Sequence, residues 1–280
     1  MAKSFDFPHF NRPPIAEVAL SVQFEALPNF HAAHIGLYWN EIRLHFPKTQ
    51  EQPPLPPAQE RFGVRLPAPQ INVMLGTAPK VPRCWFLNED ETRLIQVQQD
   101  RFIYNWRKKP NSQVQADDYP RYKVLRESFR SELATFIRFL EASSLGEFKP
   151  IQCELVYVNQ ITLDINWKEH RDIANLVTFW RDPTDDLLAK PEDVNISARY
   201  IIKDSNDQPA GRLHLVLTPT FSSAGEPIYQ FQTVARGFPV APGMDGIFTF
   251  LEKGHEYAMR ALLAVASPEL QKLWEKRYVS

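Results

Sequence analysis

Glycine and cysteine are scarce in this chain, with 10 and 2 among 280 residues. So few glycines leave no phosphate-cradling loop, and none of their spacings matches a Walker or dinucleotide-binding fingerprint. Two thiols, Cys84 and Cys153, cannot build a disulfide framework and fit a reducing compartment. No stretch approaches the ~20 consecutive apolar residues that a membrane helix needs. The opening MAKSFDFPHF lacks the apolar run of a signal peptide, so a cytoplasmic protein without membrane association is expected. A surplus of charge is missing too. The formal net charge of −1 gives no overall pull toward nucleic acid, although a local basic patch is compatible with it. No G-x-S-x-G elbow, H-E-x-x-H or C-x-x-C occurs.

Proline, by contrast, is abundant at 24 residues, and period-two alternation of apolar and polar residues recurs along the chain. In residues 15–25, Val18, Leu20, Val22 and Phe24 alternate with Glu17, Ser21, Gln23 and Glu25, which predicts a half-buried strand. Asn29 is placed to cap a helix running to about His45, with Ile35, Tyr38, Trp39, Ile42 and Phe46 at helical spacing. Residues 47–82 carry nine prolines, including PPLPP at 53–57, and read as an extended, loop-rich insertion. Residues 83–107 then read as three antiparallel strands. With Gln99-Asp100 as a two-residue loop, Gln98 faces Arg101, Gln96 faces Ile103 and Leu94 faces Asn105. Ile95, Val97, Phe102, Tyr104 and Trp106 form the core side, and the opposite side is polar. A helix over about 123–142 closes the first half, with Leu125, Phe129, Leu133 and Phe136 in its apolar stripe.

The order of elements then begins again. ELVYVNQI at 154–161 echoes EVALSVQF at 17–24, aligning Glu17 with Glu154 and Gln23 with Gln160. A short helix near 172–180, strands near 197–203, 212–219 and 228–235, and a helix near 248–266 follow. Gln230 and Gln232 echo Gln96 and Gln98. The expected fold is α+β, an internal duplication of a β-α-β-β-β-α unit over 1–149 and 150–280. The two repeats would form one compact unit, an antiparallel sheet with long helices packed on one face. The opposite face would gather Gln23, Arg83, Gln96, Gln98, Arg101, Asn105, Arg107, Gln160, Gln230 and Gln232 as a binding surface. The plainer alternative is that such a face is simply solvated.

Other motifs carry less chemistry. His31-x-x-His34 has helical spacing for two metal ligands, but no third ligand is placed to join them, so no metal is expected. The acid pairs Asp117-Asp118 and Asp185-Asp186 sit in polar, proline-flanked loops that suit solvated turns better than acid–base work. Asn105-Trp106-Arg107-Lys108-Lys109 joins an aromatic ring to three cations, a combination that can hold phosphate or stack bases.

PPIAEVALSVQFEAL (13–27), HIGLYW (34–39), RCWF (83–86), IQVQQDRFIYNWR (95–107), YPRY (119–122) and ELVYVNQI (154–161) together resemble a sporadically distributed bacterial protein family of unknown function. The resemblance implies a bacterial cytoplasmic origin and carries no activity. At the level of fold alone, the duplicated order is similar to the TATA-binding-protein-like saddle and to paired-repeat effector-binding domains. The expected function is a non-catalytic binding or regulatory module. A small polar ligand or protein partner would sit on the polar sheet face or in the cleft between repeats, with no cofactor. A nucleic-acid binder using residues 83–109, with Arg83, Trp85, Arg101, Asn105 and Arg107 in contact, is the alternative. An enzyme without a recognisable motif comes third.

Overall fold

The structure is a computed structural model that describes residues 9–63, 81–109, 119–162, 167–185, 187–188 and 190–277. The later part of the proline-rich insertion and the pair Asp117-Asp118 lie outside the described residues, as does Asp186. In chain order the elements begin β1 (His9–Phe10), β2 (Ile15–Phe24), α1 (Ala32–Ile42), β3 (Lys48–Gln52), β4 (Arg83–Leu87), β5 (Arg93–Gln98), β6 (Arg101–Arg107) and α2 (Arg121–Ala142). They continue with β7 (Pro150–Ile161), a 3-10 helix (His170–Asn175), β8 (Ile196–Lys203), β9 (Pro209–Phe221) and β10 (Pro227–Gly237). The chain ends with α3 (Gly243–Val265), α4 (Pro268–Leu273) and β11 (Lys276–Arg277). The fold is α+β.

Nine strands form one antiparallel sheet in the order β3-β4-β5-β6-β2-β7-β10-β9-β8. The pair β2–β7 stands near its centre, with Val18 opposite Tyr157 and Ala19 opposite Val156. Alternation sends Val18, Leu20, Val22 and Phe24 of β2 to one face, where they meet Phe102, Tyr104, Cys153 and Leu155 in the main core. All three long helices supply that same core. Tyr38 comes from α1, Phe129 and Phe136 from α2, and Phe248 and Phe250 from α3. Phe250 packs so close to the sheet that a Cβ on Gly237 would stand 2.4 Å from its ring and 2.3 Å from the Ala210 carbonyl oxygen. A smaller core under β7, β9 and β10 holds Phe10, Trp167, Leu217, Phe231 and Trp274. Among the described residues no helix is long and apolar enough to cross a membrane.

The hairpin of β5 and β6 has the expected register, with Gln98 opposite Arg101, Gln96 opposite Ile103 and Leu94 opposite Asn105. Several expectations differ. Helix α1 begins at Ala32, not after Asn29, because buried Phe30 closes a turn onto the Leu27 carbonyl first. The His31 amide then donates to His34 Nδ1 at 3.1 Å, so this histidine pair caps the helix. The insertion contains a strand, β3, added to the outer edge of β4. The small sheet of β1 and β11 was not anticipated. Gln96 and Gln98 lie on β5, two strands from β2, whereas Gln230 and Gln232 lie on β10, next to β7. The two glutamine pairs therefore hold different ranks in the sheet.

Candidate functional site: a polar sheet face under a proline-rich strap

The face opposite the helices is not an open polar display. Gln96 and Gln98 are 6% and 4% exposed, and Gln23, Arg101 and Asn105 are buried with them. Residues 53–61 cover part of this face. From the end of β3 the chain turns back and crosses the strands one after another. Leu55 N–H donates to Gln98 Oε1 on β5 at 2.9 Å, and Gln98 Nε2 donates to the Leu55 carbonyl at 3.1 Å. Arg101 on β6 donates to the Pro56 carbonyl at 3.1 Å. Ala58 N–H donates to Gln23 on β2 at 3.3 Å. Gln152 on β7 accepts from Glu60 N–H at 2.9 Å and donates to the Ala58 carbonyl.

The cadence has a simple cause. An extended chain advances ~3.1 Å per residue while strands stand ~4.8 Å apart, so the strap meets a new strand about every 1.5 residues. Its sequence fits that rhythm. Leu55, Ala58 and Glu60 supply the amide donors that the face uses, and prolines fall at 53, 54, 56 and 57, where no donor is needed. Side-chain amides of glutamine offer a donor and an acceptor together, and so pair with a backbone as another strand would.

The strap ends on an ion cluster. The Glu60 side chain is 4% exposed; Arg212 Nη1 lies 2.5 Å from its Oε2 and His214 Nε2 lies 2.6 Å from its Oε1. Arg236 approaches to 3.9 Å and also pairs with Glu154. An ionised carboxylate only accepts, so Nε2 of His214 carries the proton here. Burial alone would raise the Glu60 pKa, but hydrogen bonds from His214 and Arg212 outweigh it and hold the carboxyl below its ordinary value. Arg212 also donates to the Arg61 carbonyl at 2.8 Å and stacks on Phe62, 4.4 Å from the ring centre. A void of about 10 Å³ remains beneath the strap, lined by Ser21, Gln23, Ala58, Arg101, Gln152 and Glu154. It is too small to admit a ligand beside the strap.

Next to the strap, a second network engages Arg83, Trp85, Gln96 and Asn105. Arg83 and Trp85 donate to Gln96 Oε1 at 2.7 and 2.9 Å, Gln96 donates to Asn105 at 2.8 Å, and Asn105 donates to Glu17 at 2.6 Å. Trp85, Arg101 and Asn105 thus bond to neighbouring groups of the protein, with Arg101 and Asn105 buried and Trp85 half-buried. Arg107 is half-buried and donates to the Glu91 carbonyl at 2.8 Å. Gln230 and Gln232 are half-buried, and Gln160 is exposed at the far end of β7. The structure therefore gathers Gln23, Gln98 and Arg101 under the strap and Arg83, Gln96 and Asn105 in the adjoining network. Sequence reasoning missed Gln152, Glu60, Arg212, His214 and Arg236. The signal available for them was the alternation of Arg212 and His214 with Leu213 and Leu215 on β9, and the non-proline positions inside PPLPPAQE.

One further polar cluster lies on the helix side. Tyr157 Oη sits 2.8 Å from His255 Nδ1, and the Tyr122 ring stacks on His255 at 3.9 Å. Burial pushes the His255 pKa down to about 4, which keeps the imidazole neutral near pH 7.

Comparison of the chain with protein-family models, curated proteins and solved structures finds no match.

Proposed function

We propose that this protein is a non-catalytic binding module whose polar sheet face recognises an extended polypeptide segment. The observation that carries the reading is the pairing of Gln98, Gln23 and Gln152 with the backbone of residues 55–60. These side chains read main-chain donors and acceptors, the mode by which extended peptides are captured. The strand order on either side of β2–β7, β6-β5-β4 and β10-β9-β8, supports assembly of the face from two β-α-β-β-β-α repeats, residues 1–149 and 150–280. Because residues 55–60 occupy this face in the intact chain, the experiment screens a variant with 53–61 replaced by a glycine-serine linker against an array of extended peptides, and repeats the screen with Gln98→Ala/Gln152→Ala added. Capture that the double variant loses is expected. Capture that survives the double variant while its fold is intact places recognition elsewhere and removes this reading.

A further inference from the structure

The strap is bound like a ligand and not like a piece of core. Neither hydrophobic core contains any residue of 53–62, and Pro56, Pro57, Gln59 and Arg61 face solvent. Its departure would leave the sheet and helices packed as they are. It would also expose a face with surplus positive charge. Arg212 and Arg236 would lose the Glu60 carboxylate, leaving Glu154 beside them. Arg101 is buried under the strap, makes no ion pair among the described residues, and its Nε has no hydrogen-bond partner there. Its guanidinium meets only neutral acceptors, Gln23 Oε1 and the Pro56 carbonyl. Burial disfavours its charge, and Asp100 and Glu154 favour it from beyond ion-pair distance, so without Glu60 the three guanidiniums of Arg101, Arg212 and Arg236 would share this face with two carboxylates.

We infer that residues 53–61 are a tethered stand-in for the ligand. The ligand itself is a proline-containing segment of a partner protein, with a carboxylate where the strap places Glu60. This rests on the reading of the face as a peptide-recognition surface. The strap's tether gives it an effective concentration on the order of millimolar, so a free segment of equal intrinsic affinity binds only when the strap is weakened or the partner adds contacts.

The test uses a fluorescent peptide of sequence PPLPPAQER, residues 53–61, followed by anisotropy. It is titrated into the full chain, into Glu60→Gln, and into a variant with 53–61 replaced by a glycine-serine linker of equal length. Glu60→Gln keeps the amide ladder and serves as the deciding variant should the linker variant fail to fold. At micromolar concentrations the unmodified chain is expected to show no saturable binding, and the variants should bind at least tenfold more tightly. Replacing the peptide's glutamate by glutamine should weaken it at least tenfold. Folded variants that ignore the peptide at millimolar concentration overturn the inference, because the strap is then a fixed part of the structure. Equal binding of extended peptides without proline or carboxylate overturns the ligand class but leaves the recognition face standing. Binding of no extended peptide at all removes both.

Discussion

At the scale of single residues, neighbours on β5 have different jobs. Val97 is fully buried against the helices, so Val97→Asp places an unpaired carboxylate in the core. It should cost several kcal/mol, on the order of 4, and leave little folded protein in a urea titration. Gln98 is buried on the opposite face and holds both polar atoms of Leu55. Gln98→Ala orphans that backbone pair and should cost about 2 kcal/mol, well above the few tenths expected of a solvent-facing glutamine. A midpoint indistinguishable from the parent would mean that the strap does not need the amide. Two buried groups should respond to acid at different points. His255 has a folded pKa depressed to about 4 from its ordinary value of 6.5, so its stabilisation is complete above 6.5 and is lost as pH falls toward 4. Glu60 is also depressed, so its contribution is present above the ordinary carboxyl pKa and disappears at lower pH still. His255→Phe should flatten the upper part of the acid limb of stability, and Glu60→Gln only the lower part. Thermal melts of both variants between pH 7 and pH 3 check the order.

At the scale of elements, the hairpin was legible and the strap was not. Period-two alternation with a two-residue loop admits one register in which Val97, Phe102 and Tyr104 share a face, and a slip by one residue would turn every apolar side chain outward. The sequence PPLPPAQE carries no such period. Proline restricts φ without choosing a partner, and which strand lies beneath Leu55 or Ala58 is decided by tertiary geometry alone. Burial of Gln23, Gln96 and Gln98 was hidden for the same reason, since their covering comes from residues far away in sequence or from neighbouring strands. The strap's own composition makes a prediction. Ala58→Pro removes the donor to Gln23 but keeps the extended backbone, whereas Pro57→Ala keeps every donor. Hydrogen exchange at the Leu55 and Glu60 amides should accelerate at least tenfold in the first variant and little in the second. Equal acceleration in both would show that proline stiffness, not the amide ladder, holds the strap.

Across the whole molecule, the strap and the main core tie the same two halves together from opposite sides of the sheet. Below, Leu155 and Phe248 of the second half share a core with Phe102 and Phe129 of the first. Above, the strap is bonded to Gln98, Arg101 and Gln23 on one side of the β2–β7 junction and to Gln152, Arg212 and His214 on the other. A chain cut between Lys149 and Pro150 would leave each fragment with its central strand, β2 or β7, bare along one edge and with half of the main core, too little buried surface to offset the ordering of the backbone. Separately expressed fragments 1–149 and 150–280 should therefore be unfolded or aggregated, and co-expression should restore the native circular dichroism spectrum. The strap gives this prediction a quantitative arm. Glu60 belongs to the first fragment and Arg212, His214 and Arg236 to the second, so Glu60→Gln removes a buried ion cluster from the interface alone. Breaking such a pair typically costs about 3 kcal/mol, which corresponds to more than a hundredfold weaker association of the fragments. Dilution of the co-expressed complex, followed by circular dichroism, measures it, and an affinity unchanged by Glu60→Gln would mean that the core face alone holds the halves together.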